Sequence, residues 1–359
     1  MPFAEWALPL LANRPMPPIA RSPSFHLDRL RAVLAEADAT LGSEAILRGL
    51  VQAGCDRLPL PGRGETLTRW QALAAVAAVD LPLAKRFEGH TDALAILAEL
   101  AAPSPPPPAS IWGVWCAESA RQRLVMAPAA SGQVLLDGIK TWCSGAAGAS
   151  HAVVSGWTPA GAPGLAAVAL AQPGVTILPG TWLAPGMRDS ATVDVSFHQV
   201  RGTPLGAPGA YVDRPGFLHG GAGVAACWYG GLARVFQRLR ASASTGRADP
   251  FLLAHLGAAD VALCQARWAL RSAAAAIDAA PHDGCAVATA RARLAVEAAA
   301  EDIMTRAARA LGAGPLCKDP ALAQVMTDLP LYIRQSHAER DQAAHGEMVA
   351  AAEESTWTL

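Results

Sequence analysis

Residues 137–146 read DGIKTWCSGA, an interruption in a chain otherwise rich in alanine. One large aromatic, Trp142, stands beside the small residues Cys143 and Ser144, and Gly145 closes the run. On an extended strand, Trp142 and Ser144 fall on the same side of the sheet, because side chains alternate with period two. Two roles fit such a pair. It is either a strand end whose indole packs in a core while the serine bonds a turn, or a wall offering a flat apolar face and a hydroxyl to a ligand.

The neighbouring sequence supplies more strands. IWGVWC (111–116), QVLLDGIKTW (133–142), HAVVSGW (151–157), LAAVAL (165–170), VTIL (175–178) and ATVDVSF (191–197) are short β-type runs divided by Gly, Pro, Ser and Asp. That spacing predicts a compact β-barrel or sandwich. Helical periodicity flanks it. Leu27, Leu30, Leu34 and Leu41 share one helical face, amphipathic stretches follow at 66–79 and 83–101, and the proline run APSPPPPAS (102–110) cannot continue a helix. After Gly216, Leu256, Leu263, Leu270 and Ile277 recur every seven residues with Ala259, Ala266 and Ala273 between them, a seam that lets helices approach closely. Further helices are expected at 286–311, stopped by Gly312, and at 320–350. The fold class read from this order is α+β. An N-terminal extension (1–24) precedes a helical domain (25–109), a β-domain (110–215) and a C-terminal helical bundle (216–359).

Composition narrows the function. With 359 residues and a formal net charge of −1, the chain lacks the basic excess that nucleic-acid binding needs. No apolar run is long enough to cross a bilayer, and the proline-broken first eighteen residues make a poor secretory signal. The seven cysteines form no CxxC pair, which fits reduced thiols in a cytoplasmic protein and argues against zinc.

LLDGIKTWCSGA resembles the strand "NGxKxWITNG" of the acyl-CoA dehydrogenase family, and PGMRDSATVDVSFHQV (185–200) resembles its "GxRxSxxxxxxFxxVxVP". DLPLAKRFEGH (80–90) is similar to the "DxSLAR" end of the family's N-terminal domain, and LGAGPL (311–316) occupies the place of its "FGGxG" turn. The resemblance spans roughly residues 25–350. It implies a flavoprotein with FAD at the junction of the β-domain and the C-terminal helices, a homodimer or homotetramer, and an electron-transfer flavoprotein as a possible redox partner. Trp142 would lie beside the isoalloxazine ring and Ser144 would bond its N5 edge. Cys116 and Ala117, in the place of the family's "CxTE", would offer backbone groups to the flavin. Arg247 would meet the pyrophosphate of a neighbouring subunit's cofactor, a task that suits a guanidinium fork, and Gly312 and Gly314 would allow close backbone approach.

The chemistry departs from the family. Its "PxxGSD" continuation is replaced by Ser119-Ala120-Arg121-Gln122-Arg123, and counting from Met326 places Ser336 where the family carries its glutamate base. The alternative base position, near Gly221, also lacks a carboxylate. His337, beside Ser336, titrates near neutrality and is the expected catalytic group; His219 is a weaker candidate. On a continuous helix Glu339 and Asp341 would point away from Ser336. The leading expectation is an FAD-dependent oxidoreductase acting on an acyl thioester or related carbonyl compound. The alternatives are a flavin-dependent monooxygenase or oxidase on the same fold, and a homologue that binds flavin without turnover.

Overall fold

The computed structural model describes residues 25–37, 41–119, 122–178, 180, 182–244, 249–283 and 285–352. Four helices come first: α1 (Leu27–Glu36), α2 (Ser43–Gln52), α3 (Thr66–Val79) and α4 (Leu81–Glu99). Seven strands follow, β1 (Trp112–Trp115), β2 (Leu124–Pro128), β3 (Val134–Cys143), β4 (His151–Trp157), β5 (Pro163–Ala169), β6 (Val175–Leu178) and β7 (Val193–Pro204). The chain returns to helix with α5 (Ala210–Asp213), α6 (Pro215–Ala243), α7 (Pro250–Ala279), α8 (Ala286–Leu311), α9 (Ala313–Lys318), α10 (Pro320–Tyr332) and α11 (Glu339–Ala350). Three helices begin on the same device. Asp80, Asp249 and Asp319 accept hydrogen bonds from first-turn amides of α4, α7 and α10, each with proline in that turn. Such a cap contributes about 1 kcal/mol.

Strand pairing closes a circuit. β2 pairs with β3, β3 with β7, β7 with β5, β5 with β4, and β4 returns to β2; β1 lies outside on β4, and β6 on β7. A closed circuit leaves no open edge within the ring. Trp115, Leu124, Met126, Leu136, Cys143, Val154, Val168 and Phe197 fill its interior. A second core joins the helices, with α6 at its centre against α3, α4, α7, α8 and α10. A third, of Ile96, Leu97, Trp112, Val153 and Leu165, fastens α4 to β1, β4 and β5.

The alanine seam is as the periodicity predicts: Ala259, Ala266, Ala273, Leu270 and Ile277 are buried. Three elements differ. β2 and α2 are not anticipated, because LVMAP and SEAILRGLVQ are short and carry weak periodicity; pairing with β3 and burial of Leu47 and Leu50 make them. The helix expected over 320–350 is broken. After α10 the chain makes one 3-10 turn (Ile333–Gln335), Ser336 is extended, and Ala338 takes φ 47° before α11. Among the described residues, no helix is long and apolar enough to cross a membrane.

Candidate functional site

β3 ends irregularly. Its register with β7 shifts between Lys140 and Cys143, and Trp142 takes φ 63°, the left-handed region. The bulge corrects the expectation that Trp142 and Ser144 share one strand face: the strand stops at Cys143 and Ser144 opens a turn. Re-aimed in this way, the Trp142 indole is 59% exposed and meets Trp182 edge to face, with centroids 6.0 Å apart. A large aromatic held at positive φ and left in solvent is costly at a structural position, so the bulge presents a flat apolar surface.

Ser144 faces the other way. Its hydroxyl lies 2.9 Å from Thr192 Oγ1, which lies 2.8 Å from Ser190 Oγ. The Gly145 amide donates to the Ser190 carbonyl at 2.9 Å, and Trp115 Nε1 donates to the Ser144 carbonyl at 3.2 Å. The two family-like motifs, fifty residues apart in sequence, are thus hydrogen-bonded to one another. The turn also needs its glycines. A Cβ on Gly148 would lie 2.5 Å from Glu44 Cδ and 2.7 Å from Arg86 Nη2; Arg86 ties α4 to α2 through Ser43 and Glu44, and Arg48 of α2 donates to the Gly148 carbonyl at 3.5 Å. A crevice of ≈ 20 Å³ remains between α4, β1 and this turn, lined by Lys85, Gly89, Trp112, Val114 and Ser144. It admits a water but no ring, whereas the Trp142 indole stands open to solvent.

Behind Trp142, the segment 182–190 docks on the helices. Trp182 Nε1 donates to the Gly186 carbonyl at 3.0 Å, the Met187 amide donates to Asp328 Oδ1 on α10, and Ser43 Oγ donates to the Asp189 carbonyl. Burial raises the Asp328 carboxyl above the usual range, against the hydrogen bonds from Gln324 and Met187.

Cys116 and Ala117 follow β1. The Cys116 thiol turns toward the Val153 carbonyl, and burial pushes it up to about 11. Glu118 fixes the segment: it accepts from Lys140 Nζ (2.7 Å), Ser155 Oγ (2.6 Å) and Trp157 Nε1 (3.0 Å). Burial raises the Glu118 carboxyl, but Lys140 and the two other donors outweigh it and hold the group low.

The arrangement of helices and barrel matches known structures closely. TdsC from Paenibacillus sp. A11-2, a dibenzothiophene monooxygenase, superposes in its FMN-bound form with TM-score 0.76 at 17% identity, over 89% of this chain and 96% of that one. Butyryl-CoA dehydrogenase from Megasphaera elsdenii gives TM-score 0.74 at 16% identity, over 90% and 97%. The chain has the acyl-CoA dehydrogenase fold. The methanesulfinate monooxygenase MsuC from Pseudomonas fluorescens shares it, with TM-score 0.73 at 21% identity over 92% of this chain and 97% of that one. No family model matches the sequence, and no curated protein does.

In this acyl-CoA dehydrogenase fold, the loop joining α10 to α11 carries Ser336 and His337. Ser336 is buried, and its Oγ donates to Glu297 Oε2 on α8 at 2.6 Å, with Asp341 Oδ2 at 3.3 Å. Asp341 also accepts from the His337 amide at 3.0 Å and stands 3.5 Å from His337 Nδ1. The expectation that Asp341 points away is therefore wrong, because Ser336 lies outside the helix. His337 is exposed. His219 is buried with neither ring nitrogen hydrogen-bonded; burial and then Arg214 lower its pKa to about 4, against Asp278. Gly312 caps α8 at φ 68° and Gly314 lies within α9, and an added Cβ on either meets nothing within 4 Å. Arg247 lies outside the described residues.

Sequence reading missed Trp182, Glu297 and Arg293. Trp182 carries a signal, since TWLAPGMR sets an aromatic just ahead of the second motif. Glu297 and Arg293 are lost among the charged residues of α8, whose inward face only packing reveals.

Proposed function

We propose that this protein is a flavin-dependent oxidoreductase that holds the isoalloxazine ring against Trp142, on the side of the β-barrel facing α10. The single observation that carries the reading is the outward indole of Trp142, set by a backbone conformation that structure alone does not reward. The residues present fit a flavin: Trp142 and Trp182 supply an aromatic wall and the Cys116–Ala117 backbone donors and acceptors, while Ser144, its hydroxyl turned to Thr192, braces the turn behind the wall instead of meeting the ring. When bound, the flavin supplies the redox chemistry. The chain's own part is to orient the ring and to limit solvent access behind it through the 182–190 segment. The resemblance points to FAD and the FMN-bound TdsC structure to FMN; heat release of the bound nucleotide and chromatography distinguish them.

Between the two reactions considered, oxygen-dependent oxidation is favoured over α,β-dehydrogenation of an acyl thioester. Dehydrogenation needs a carboxylate free to take the α-proton. At the base position Ser336 is turned into the helices and bonded to Glu297, and Glu297 is itself engaged by Arg334 at 2.7 Å. His337, exposed on that loop with Nδ1 3.5 Å from Asp341, is the group assigned to serve a substrate or the flavin edge. A homo-oligomer is supported by the apolar side chains that α7 leaves in solvent, Leu253, Val261 and Trp268. A cytoplasmic location accords with seven free cysteines.

The test is anaerobic addition of short acyl-CoAs to flavin-loaded protein, followed by reduced flavin with oxygen. Loss of flavin colour with a thioester would return the protein to the dehydrogenases. Unchanged colour with a thioester, together with oxygen consumption by the reduced form, supports the oxygen-using reading.

A further inference from the structure

α6 is the central helix, yet one side of it is not sealed. Phe217, Gly220, Gly221 and Val224 keep partial exposure although α3, α4, α7, α8 and α10 surround the helix. Arg293 reaches this side from α8. Its guanidinium donates to the Gly221 carbonyl and lies over the Trp228 ring, 5.0 Å from the centroid. Arg293 packs directly on Gly221: a Cβ there would stand in ordinary contact with Arg293 Nη1, at 3.6 Å.

Among the described residues this cation lacks a counter-ion: no carboxylate forms an ion pair with it, and the two nearest by charge are engaged elsewhere, Glu297 with Arg334 and Ser336, Asp341 with Ser336 and the His337 amide. Burial presses the guanidinium toward its neutral form, with Asp341 and Glu297 opposing from a distance. Beneath it the Trp228 indole N–H is buried without an acceptor. Donors therefore exceed acceptors at this corner. A partly buried guanidinium with one carbonyl partner leaves most of its five N–H groups to be satisfied.

We propose that Arg293 is the anion-binding residue of the ligand site, taking a small organic oxyanion, a carboxylate or sulfinate-type group with two oxygens on one centre, in the open side of α6 at Gly221. The planar fork matches two such oxygens. The carbon skeleton of the ligand would lie along Phe217 and Val224. Calling this ligand the substrate rests on the functional reading above; binding of the anion does not.

Calorimetric titration of the purified protein with acetate, benzoate and methanesulfonate, with benzamide as a neutral isostere of benzoate, tests it. At least one anion is expected to bind, benzamide is not, and Arg293→Met is expected to weaken the anion by about tenfold to hundredfold. Should the methionine variant not fold, Arg293→Lys carries the comparison with an intermediate loss. Absence of binding by all three anions, or equal binding by wild type and the folded Arg293 variant, overturns the proposal. Flavin retention is read from the visible spectrum of the same samples. Flavin-loaded protein that binds no anion sinks this inference alone, whereas flavin-free protein that binds an anion through Arg293 keeps it and sinks the functional reading.

Discussion

The Trp142 and Trp182 indoles meet edge to face, 6.0 Å apart with planes at 89°, and only Trp182 is tied down, through its N–H to the Gly186 carbonyl. Trp142 is thereby propped by a neighbour that is itself anchored to α10. The wall it forms belongs to the junction of barrel and helices, where the fold brings two distant sequence motifs together.

Trp142→Ala should leave folding intact, because the side chain is 59% exposed and removes little from any core. Flavin affinity should fall by about tenfold or more, the worth of one aromatic stacking surface of roughly 1–3 kcal/mol. Quenching of flavin fluorescence on titration measures the affinity, and the thermal midpoint reports the fold.

Gly186→Ala tests the anchor. Its Cβ would lie 2.4 Å from the Thr327 carbonyl oxygen on α10, a backbone atom that cannot rotate away. The expected cost is about 1–3 kcal/mol of stability, with weakened flavin binding as the 182–190 segment lifts. A variant as stable as wild type in urea unfolding would show that this docking is not required.

Ser336→Glu should not restore a dehydrogenase base. The side chain at 336 points at Glu297 Oε2, 2.6 Å from the serine oxygen, so a second carboxylate would crowd the first. Two adjacent buried carboxylates share a proton, and one folded-state pKa rises. The unfolded state then binds fewer protons, so the variant's stability relative to wild type should fall as pH rises from 5 to 8, by about 3 kcal/mol at most. Gain of α-proton exchange with acyl-CoA would contradict the geometry.

His219 gives the opposite pH dependence. Burial holds its folded pKa at about 4, below the ordinary histidine value of roughly 6.5. The unfolded chain binds the proton first, so the contribution to stability is complete above pH ~6.5 and is lost as pH falls toward 4, by up to about 3 kcal/mol. His219→Leu should flatten this part of the stability curve relative to wild type. Equal slopes for the two proteins between pH 4 and 6.5 would contradict it.

Much of the plan was legible because alternation and helical periodicity report burial directly. The order of helices, strands and helices, the alanine seam of α7 and the glycine end of α8 follow from residue type and spacing. β2 and α2 were not legible, since each is made by its partners: β3 for one, and for the other Arg86 on Ser43 and Glu44 together with the Arg48 bond to Gly148. The Trp142 bulge was hidden for a related reason. Alternation assumes a regular strand, and a positive φ at a tryptophan has no signature in composition. The replacement of a family base by a serine was readable; that Ser336 is bonded to a glutamate from α8, thirty-nine positions away, needed the fold.

The measurement closest to the central claim is the visible absorption spectrum of the purified protein, as isolated and after incubation with FMN or FAD and removal of free cofactor. The account predicts a yellow protein whose flavin bands are displaced from those of the free nucleotide, and loss of that displacement in Trp142→Ala. A folded wild-type protein that retains neither nucleotide would contradict it.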